Sequence, residues 1–491
     1  MPDSRRWCFA DQLGPHFLDS PDQPVLLIES RAAFGRRRFH RRKAHLVLSA
    51  LRHRAAELGE QATFVQARTY REALDQVDGR LTVCQPTSWA ADRFVRAQPS
   101  VEVLPARGFA TDRETFEPWA DNQRSLVLEN FYRDARRRFG LLMNGADPAG
   151  GRWNFDADNR EAPPKTARLG VPTPWFPDED EIDAHVRADL DKWERDGDVS
   201  FVGRDGPREF AVTYDEAQHA FSAFLRDRLA YFGPHEDAML AGDPWMSHSM
   251  LSAPMNLGLL DPLDCAYAAE DAYRSGHAPL NSVEGYIRQL VGWRDYIWHV
   301  YWHFGRDYSR RNAMNARRSL PEWFTELDAD AIEARCLRGV LADVRDRGWV
   351  HHIPRLMVLS NYALQRGWHP AALTDWFHRC FVDGYEWVMV ANVVGMSQHA
   401  DGGLMATKPY AAGGAYINRM SDYCGDCAYR PAVRVGDDAC PFTGGYWWFM
   451  QRNRERLSGN HRMRQPLAGL SRLKDIDAVV EQQRRLGDGP P

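Results

Sequence analysis

Near the C-terminus the chain reads Asp422-Tyr423-Cys424-Gly425-Asp426-Cys427, then twelve residues, then Cys440-Pro441. Two thiols at C-x2-C spacing can grip one metal from a single tight turn, and a third close behind supplies another corner. A tetrahedral soft-metal site takes four sulfur or imidazole ligands, so a fourth must come from elsewhere in the chain. Proline directly after the last cysteine also occurs in iron–sulfur ligand runs. Four thiolates suit zinc as well as a cluster, and the bland alternative is a set of structural core cysteines.

Four other segments carry polar groups unusual for plain core. In His248-Ser249-Met250-Leu251-Ser252, continuing through Asn256 to Gly258, two serines three apart before a helix offer hydroxyls and N–H groups to a phosphate. The second segment runs from Gly285 through Gln289 and Trp293-Arg294-Asp295 to Tyr296. The third is His351-His352-Ile353-Pro354-Arg355, and the fourth is Asp383-Gly384-Tyr385-Glu386-Trp387, continuing to Tyr410. Singly, each has an ordinary reading: His352 a core histidine, Arg355 and Asp383 a buried ion pair, Trp293 packing. Residues 31–54 hold nine Lys/Arg and no acid, and eight of the seventeen tryptophans fall between Trp293 and Trp387. The first is a solvated basic helix or a phosphate-binding one. The second is core, a stacking surface or a path for electrons, with core as the default.

The elements that must position these groups are of two kinds. At 491 residues the chain is too long for one core. A hydrophobic content of 44% and a charged content of 26% are ordinary for a globular protein, and a net charge of −5 excludes neither nucleic acid nor a small-molecule partner. No apolar run approaches the roughly 20 residues of a membrane span, and Met1 to Cys8 lacks an apolar signal core, so a cytoplasmic protein without a membrane partner is expected. Eight cysteines then argue for thiols and metal ligands rather than disulfides. Short apolar runs at 7–10, 24–29, 62–65, 81–84 and 101–104 read as buried strands, with helical stretches at 43–58 and 70–77 between them. That alternation predicts an α/β domain over 1–143 with a largely parallel sheet. Ligands in such sheets bind at the carboxyl ends of strands, which draws attention to Asp11-Gln12-Leu13 and Glu29-Ser30; no glycine fingerprint supports a dinucleotide there. Residues 144–180 are rich in Gly, Pro, Asn and Asp and read as a connector, too aromatic at 151–156 to be purely disordered. From 181 to 491 the apolar residues recur at helical spacing, which predicts an all-helical region.

Taken together, the polar segments resemble the flavin-binding domain of the photolyase/cryptochrome family. His248-Ser249-x-Leu251-Ser252 is similar to its phosphate loop, and Gln289 through Tyr296 to its Trp-Arg-Glu-Phe helix, with Asp295 for the acid and Tyr296 for the aromatic. His352-x-x-Arg355 resembles its His/Asn-x-x-Arg stretch and Asp383 its flavin-facing acid; the C-x2-C-x12-C run resembles the family's bacterial iron–sulfur branch, which includes prokaryotic (6-4) photolyases. The resemblance implies a Rossmann-like α/β antenna domain and a large all-α domain that binds FAD and carries a [4Fe-4S] cluster. Cys336, in a helical segment upstream, is implied as fourth ligand beside Cys424, Cys427 and Cys440; Cys380 is the competitor.

The same resemblance implies FAD held by Ser249, Leu251, Ser252, Gln289 and Arg294, with Arg355, Asp383, Tyr385 and Met389 along the isoalloxazine and Tyr231 and Asp237 closing one side. It places His352 and Tyr410 at the damaged base and Trp376 in the electron-transfer chain. A ribityllumazine antenna (6,7-dimethyl-8-ribityllumazine) would lie against Asp11, Glu29 and Phe34, and Arg37, Arg41 and Lys43 would contact DNA phosphates. The implied activity is light-driven repair of (6-4) pyrimidine photoproducts in UV-damaged DNA by a monomeric photolyase. The alternatives are a cryptochrome-like photoreceptor with the same cofactors, and a cluster-bearing nucleic-acid-binding protein without flavin. Common members have Asp-x-Asp and then Asn near the flavin N5, where this chain has Asp383-x-Tyr385 and Met389. Methionine neither donates to nor strongly accepts from N5.

Overall fold

Short Val/Leu/Ile-rich runs, buried on both faces, settle as parallel strands because only covered sheets hide such surfaces. The computed structural model describes residues 4–491. It places β1 (Ser4–Cys8), β2 (Val25–Ser30), β3 (Ala62–Ala67), β4 (Arg80–Cys84) and β5 (Val101–Leu104) in one parallel sheet, ordered β3-β2-β1-β4-β5. The expected α/β domain followed by a helical region is the observed architecture. β1 lies earlier than expected because Phe9–Gln12 turns off the sheet, the Gln12 amide N–H returning to the Phe9 carbonyl at 2.9 Å.

The loops after β1 and β4 flank the crevice where such sheets accept ligands, and here the helical region docks on it. Gln12 donates to the Cys84 carbonyl (2.9 Å), Thr87 donates to Asp11, and the Leu13 amide donates to the Leu257 carbonyl (3.1 Å). A Cβ at Gly14 would stand 2.1 Å from the Gly258 carbonyl oxygen, so only glycine permits this main-chain approach.

Packing crosses the expected boundaries at 143 and 181. The helix Glu181–Arg195 buries Val186, Leu190 and Trp193 against Ala44, Leu48 and Phe34, on the sheet side. Conversely, Phe116 and Phe131, from helices Arg113–Asp121 and Leu128–Phe139, pack with Tyr296 and Trp298 of the helical region. An apolar stripe is buried wherever a complementary one lies, whatever its place in the chain. Trp298, Trp302 and Trp387 share that core, the default reading of the tryptophan-rich segment.

The basic stretch 31–54 is not a free surface. Arg41 is buried and paired with Asp191 and Glu194, Arg37 meets Asp375 (2.8 Å), and Arg52 grips Glu29 (2.8 Å) and Asp189 (2.6 Å). Lys43 is buried and donates to the carbonyls of His378 (2.6 Å) and Gly384. Arg41 and Lys43 therefore clasp the sheet side to its neighbours and are withdrawn as phosphate contacts, whereas Arg37 is exposed and held by a surface ion pair. Among the described residues no helix is long and apolar enough to cross a membrane.

Candidate functional site

Three helices of the helical region contain a wide, π-type turn, at Arg288–Arg294, Pro354–Ser360 and Ala391–Ser397. Such turns are rare and concentrate at functional sites. Two of them carry Gln289, Arg294 and Arg355.

Asp383 is the hub. Its carboxylate accepts both guanidinium N–H groups of Arg355 (2.9 and 3.0 Å) and the hydroxyl of Ser252 (2.7 Å). Its carbonyl accepts Asn256 Nδ2 (2.9 Å), and Asn256 Oδ1 accepts Arg294. Arg355 also donates Nε to the Val350 carbonyl (2.6 Å) and lies over the Phe381 ring at 4.3 Å. The phosphate-loop serine, the π-turn arginines and the acid thus form one network, in which Asp383 is buried, the arginines are half-buried and Ser252 is exposed, with Tyr385 under Lys43 at 5.4 Å. Met389 is buried in the core behind the turn.

A second group stands beside it. His248 and His351 stack at 4.2 Å, and His352 meets His248 edge-on at 5.3 Å. His248 and His351 are buried, which holds both well below the usual imidazole range. His248 Nε2, His351 Nδ1 and Arg294 Nε lack any hydrogen-bond partner. Buried nitrogens of this kind are rarely left so in a finished site, and they fit a polar ligand lying along Ser249, Arg294 and Arg355. His352 keeps a side chain 45% exposed, with Nε2 3.7 Å from Asp237. Tyr410 is half-buried, acted on by Arg160 and Asp156 of the connector and by Asp237.

Gln289 donates to Glu236 (2.8 Å), whose carboxyl burial pushes up to about 7 from 4.5. The fold therefore favours the protonated acid. Its contribution is intact below about pH 4.5 and is lost as pH rises through 7. Glu236→Gln is expected to raise the thermal midpoint at pH 8, by up to about 3 kcal/mol of stability, and to leave it nearly unchanged at pH 4.5. A difference independent of pH across that range would contradict this.

The cysteines converge from three directions. Cys336 lies near the start of the helix Arg335–Arg347; burial first, and then Cys440, Cys424 and Cys427, push its thiol up. Cys440 caps the helix Pro441–Arg452. A Cβ at Gly414 would stand 2.7 Å from Cys440 Sγ, so the wall there is bare backbone. Four thiol donors fit a soft metal centre. Cys380 lies apart, with Arg379 and Lys43 as its charged neighbours.

Other expected residues are scattered. Tyr231 is 54% exposed and makes no hydrogen bond to the Asp383 network. Trp376 is buried, donates to the Phe324 carbonyl (3.1 Å) and sits 5.9 Å from Phe381, the ring beneath Arg355. Asp11, Glu29 and Phe34 do not form one pocket. Asp11 holds Thr87, Glu29 is bidentate to Arg52, and Phe34 is core with Trp193. Phe34 is withdrawn as an antenna contact, its ring being spent on packing. Asn256, Glu236, His248, His351 and Arg160 went unrecognised as site members. His248, His351 and Asn256 had a signal, lying within the segments singled out in the sequence.

A family model described as deoxyribodipyrimidine photo-lyase-related protein matches residues 6–198, the sheet together with the helix Glu181–Arg195 packed on it. The chain is 41% identical, over 95% of its own length and 95% of the relative's, to a protein of Agrobacterium fabrum (strain C58 / ATCC 33970) named (6-4) photolyase. In fold it is similar to a bacterial class III photolyase from Agrobacterium tumefaciens, with a TM-score of 0.53 at 14% identity, covering 99% of this chain and 97% of that one. It is equally similar to a cryptochrome of Synechocystis sp. PCC6803, with a TM-score of 0.53 at 11% identity over 100% and 96% of the two chains.

Proposed function

The chain belongs to the photolyase/cryptochrome family, and from that premise we propose that it is a light-driven enzyme, a cytoplasmic monomer, that reverts (6-4) pyrimidine photoproducts in UV-damaged DNA. The observation that carries this reading is the 41% identity, over 95% of both chains, to a relative named (6-4) photolyase.

FAD would be held by Ser249, Leu251 and Ser252 at its phosphates and by Gln289 and Arg294 beside them. Arg355 and Asp383 would flank the isoalloxazine, and the unpartnered nitrogens of His248, His351 and Arg294 would gain acceptors. When bound, the flavin supplies the light-driven one-electron chemistry that no side chain can perform. The protein's own share is position and protons. The Arg355–Asp383–Ser252 network fixes the site's charge, and the buried aromatic wall of Phe381 and Trp376 excludes water. Trp376 is the proposed relay for reducing equivalents. His352, half-exposed and oriented by Asp237, faces the rim with Tyr410, where a damaged base turned out of the stack could enter. There its imidazolium can give a proton to the group bridging the two bases.

Cys336, Cys424, Cys427 and Cys440 are proposed to carry a [4Fe-4S] cluster with a structural role. An antenna chromophore, 6,7-dimethyl-8-ribityllumazine, is proposed on the sheet side near the ends of β1 and β2. The deciding experiment illuminates purified protein with a duplex containing one (6-4) photoproduct. Restoration of the undamaged bases is expected. His352→Gln is expected to lower turnover by on the order of 10²–10⁴ with lesion binding retained. A blue-light change in flavin absorbance with no lesion turnover would move the chain to the photoreceptor reading.

A further inference from the structure

Residues 167–177 of the connector form neither helix nor strand, yet they are fastened along the segment 242–250. Two buried side chains of opposite charge make the join. Arg228, which ends the helix Tyr214–Asp227, is 3% exposed, and its partners are main-chain carbonyls. One arm of its guanidinium donates to the Pro172 carbonyl of the connector. The other donates to the carbonyls of Met246 (2.7 Å) and His248 (3.1 Å). Asp243 does the same with the opposite polarity. One carboxylate oxygen accepts the Leu169 amide of the connector (3.0 Å), and the other accepts the Met246 amide (3.0 Å). Main chain also meets main chain here, because a Cβ at Gly242 would stand 2.6 Å from the Ala167 carbonyl oxygen. Phe176 packs on Trp245 with ring centres 5.4 Å apart, and Pro174 and Trp175 line one narrow cavity with Ser249 and Met250.

The segment held in this way is strained. Met246 and Met250 have φ of 46° and 59°, a left-handed conformation that side chains other than glycine's rarely adopt. Residues keep such a conformation only where their surroundings over-determine it. Asp243 takes the amide of Met246 and Arg228 takes its carbonyl, so the peptide units on both sides of one strained residue are fixed. Met250, the second strained residue, stands between Ser249 and Leu251.

We propose that residues 167–177 are a strap that holds 246–252 in the shape the FAD phosphates require, with Arg228 and Asp243 as the positioning residues that fasten it. The inference rests on the reading of Ser249, Leu251 and Ser252 as the phosphate contacts. Among the described residues, neither Arg228 nor Asp243 hydrogen-bonds to Arg355 or Asp383. Loosening the strap therefore weakens the grip on the phosphate end and leaves the surroundings of the isoalloxazine as they are.

The test is the rate at which the purified holoprotein loses FAD in the dark, followed as the rise in free-flavin fluorescence after dilution. Arg228→Lys keeps the charge but lacks the planar fork that spans both segments. It is expected to speed release about tenfold, the scale of one lost hydrogen bond to a charged group. The visible band shape of the flavin still bound is expected to stay as in the wild type. Gly242→Ala presses on the Ala167 carbonyl from an exposed position and leaves every buried charge in place. It is expected to speed release about fivefold, the low end for an overpacking clash, and it decides the matter if Arg228→Lys does not fold. Release at the wild-type rate in Gly242→Ala would overturn the proposal. Faster release with an altered band shape would overturn it too, since the whole site would then have loosened. Wild-type protein that purifies without flavin sinks the cofactor reading itself, whereas flavin-bearing protein with unaltered release sinks the strap alone.

Discussion

Cys336→Ala is expected to yield little or no soluble, folded protein. Cys336 opens the helix Arg335–Arg347, while Cys424 and Cys427 lie in turns and Cys440 caps the helix Pro441–Arg452. The stretch 425–438 between those cysteines contributes almost nothing to the apolar core. The proposed cluster there would tie segments some hundred residues apart. Metal binding at structural thiolate sites is worth on the order of 10 kcal/mol, against a total stability of roughly 5–15 kcal/mol. Soluble yield, iron content and near-ultraviolet circular dichroism measure the effect. Cys380→Ala, at a buried cysteine outside the group, is expected to stay soluble and iron-loaded. Soluble Cys336→Ala with wild-type iron and activity would end the structural reading of the cluster.

Asp383→Ala is expected to purify without flavin and with a markedly lowered denaturant midpoint. The substitution leaves the Arg355 guanidinium, 17% exposed, with the Val350 carbonyl as its remaining partner. It also strips Ser252 of its acceptor. Removing one member of a buried ion pair costs about 3–5 kcal/mol, because the other charge stays desolvated. Lys43 makes the loss wider, since it holds the adjoining Gly384 and His378 carbonyls from the sheet side. Flavin absorbance per protein and a urea titration read the two effects separately. Stoichiometric flavin with an unchanged midpoint would show that the Asp383 network is not the cofactor's seat.

Much of this site was legible because its chemistry needs particular residue types at short spacing. The serines at 249 and 252, the pair His352-x-x-Arg355 and the C-x2-C run are local patterns. The structure brings Ser252, Arg355 and Asp383 into one network and the four cysteines into one group. Asn256 and Glu236 stayed hidden because their importance lies in what they touch, Arg294 and Gln289, about 40 to 50 residues away in the chain. The pattern in 31–54 misled for a related reason. A run of arginines looks the same whether it faces water or the carboxylates of Asp191, Glu194 and Asp375.

By itself the sequence determined the two-part architecture and the five strands, which rest on periodicity acting over a few residues; the segments proposed for the flavin and the cysteines proposed for the cluster came from the family resemblance. Only the tertiary structure decided which charges are neutralised and which packing partners each helix takes. The helix Glu181–Arg195 belongs with the sheet, and Lys43 is an internal clasp. Those outcomes depend on long-range complementarity of apolar stripes and on the pairing of charges far apart in the chain, and no local pattern encodes either.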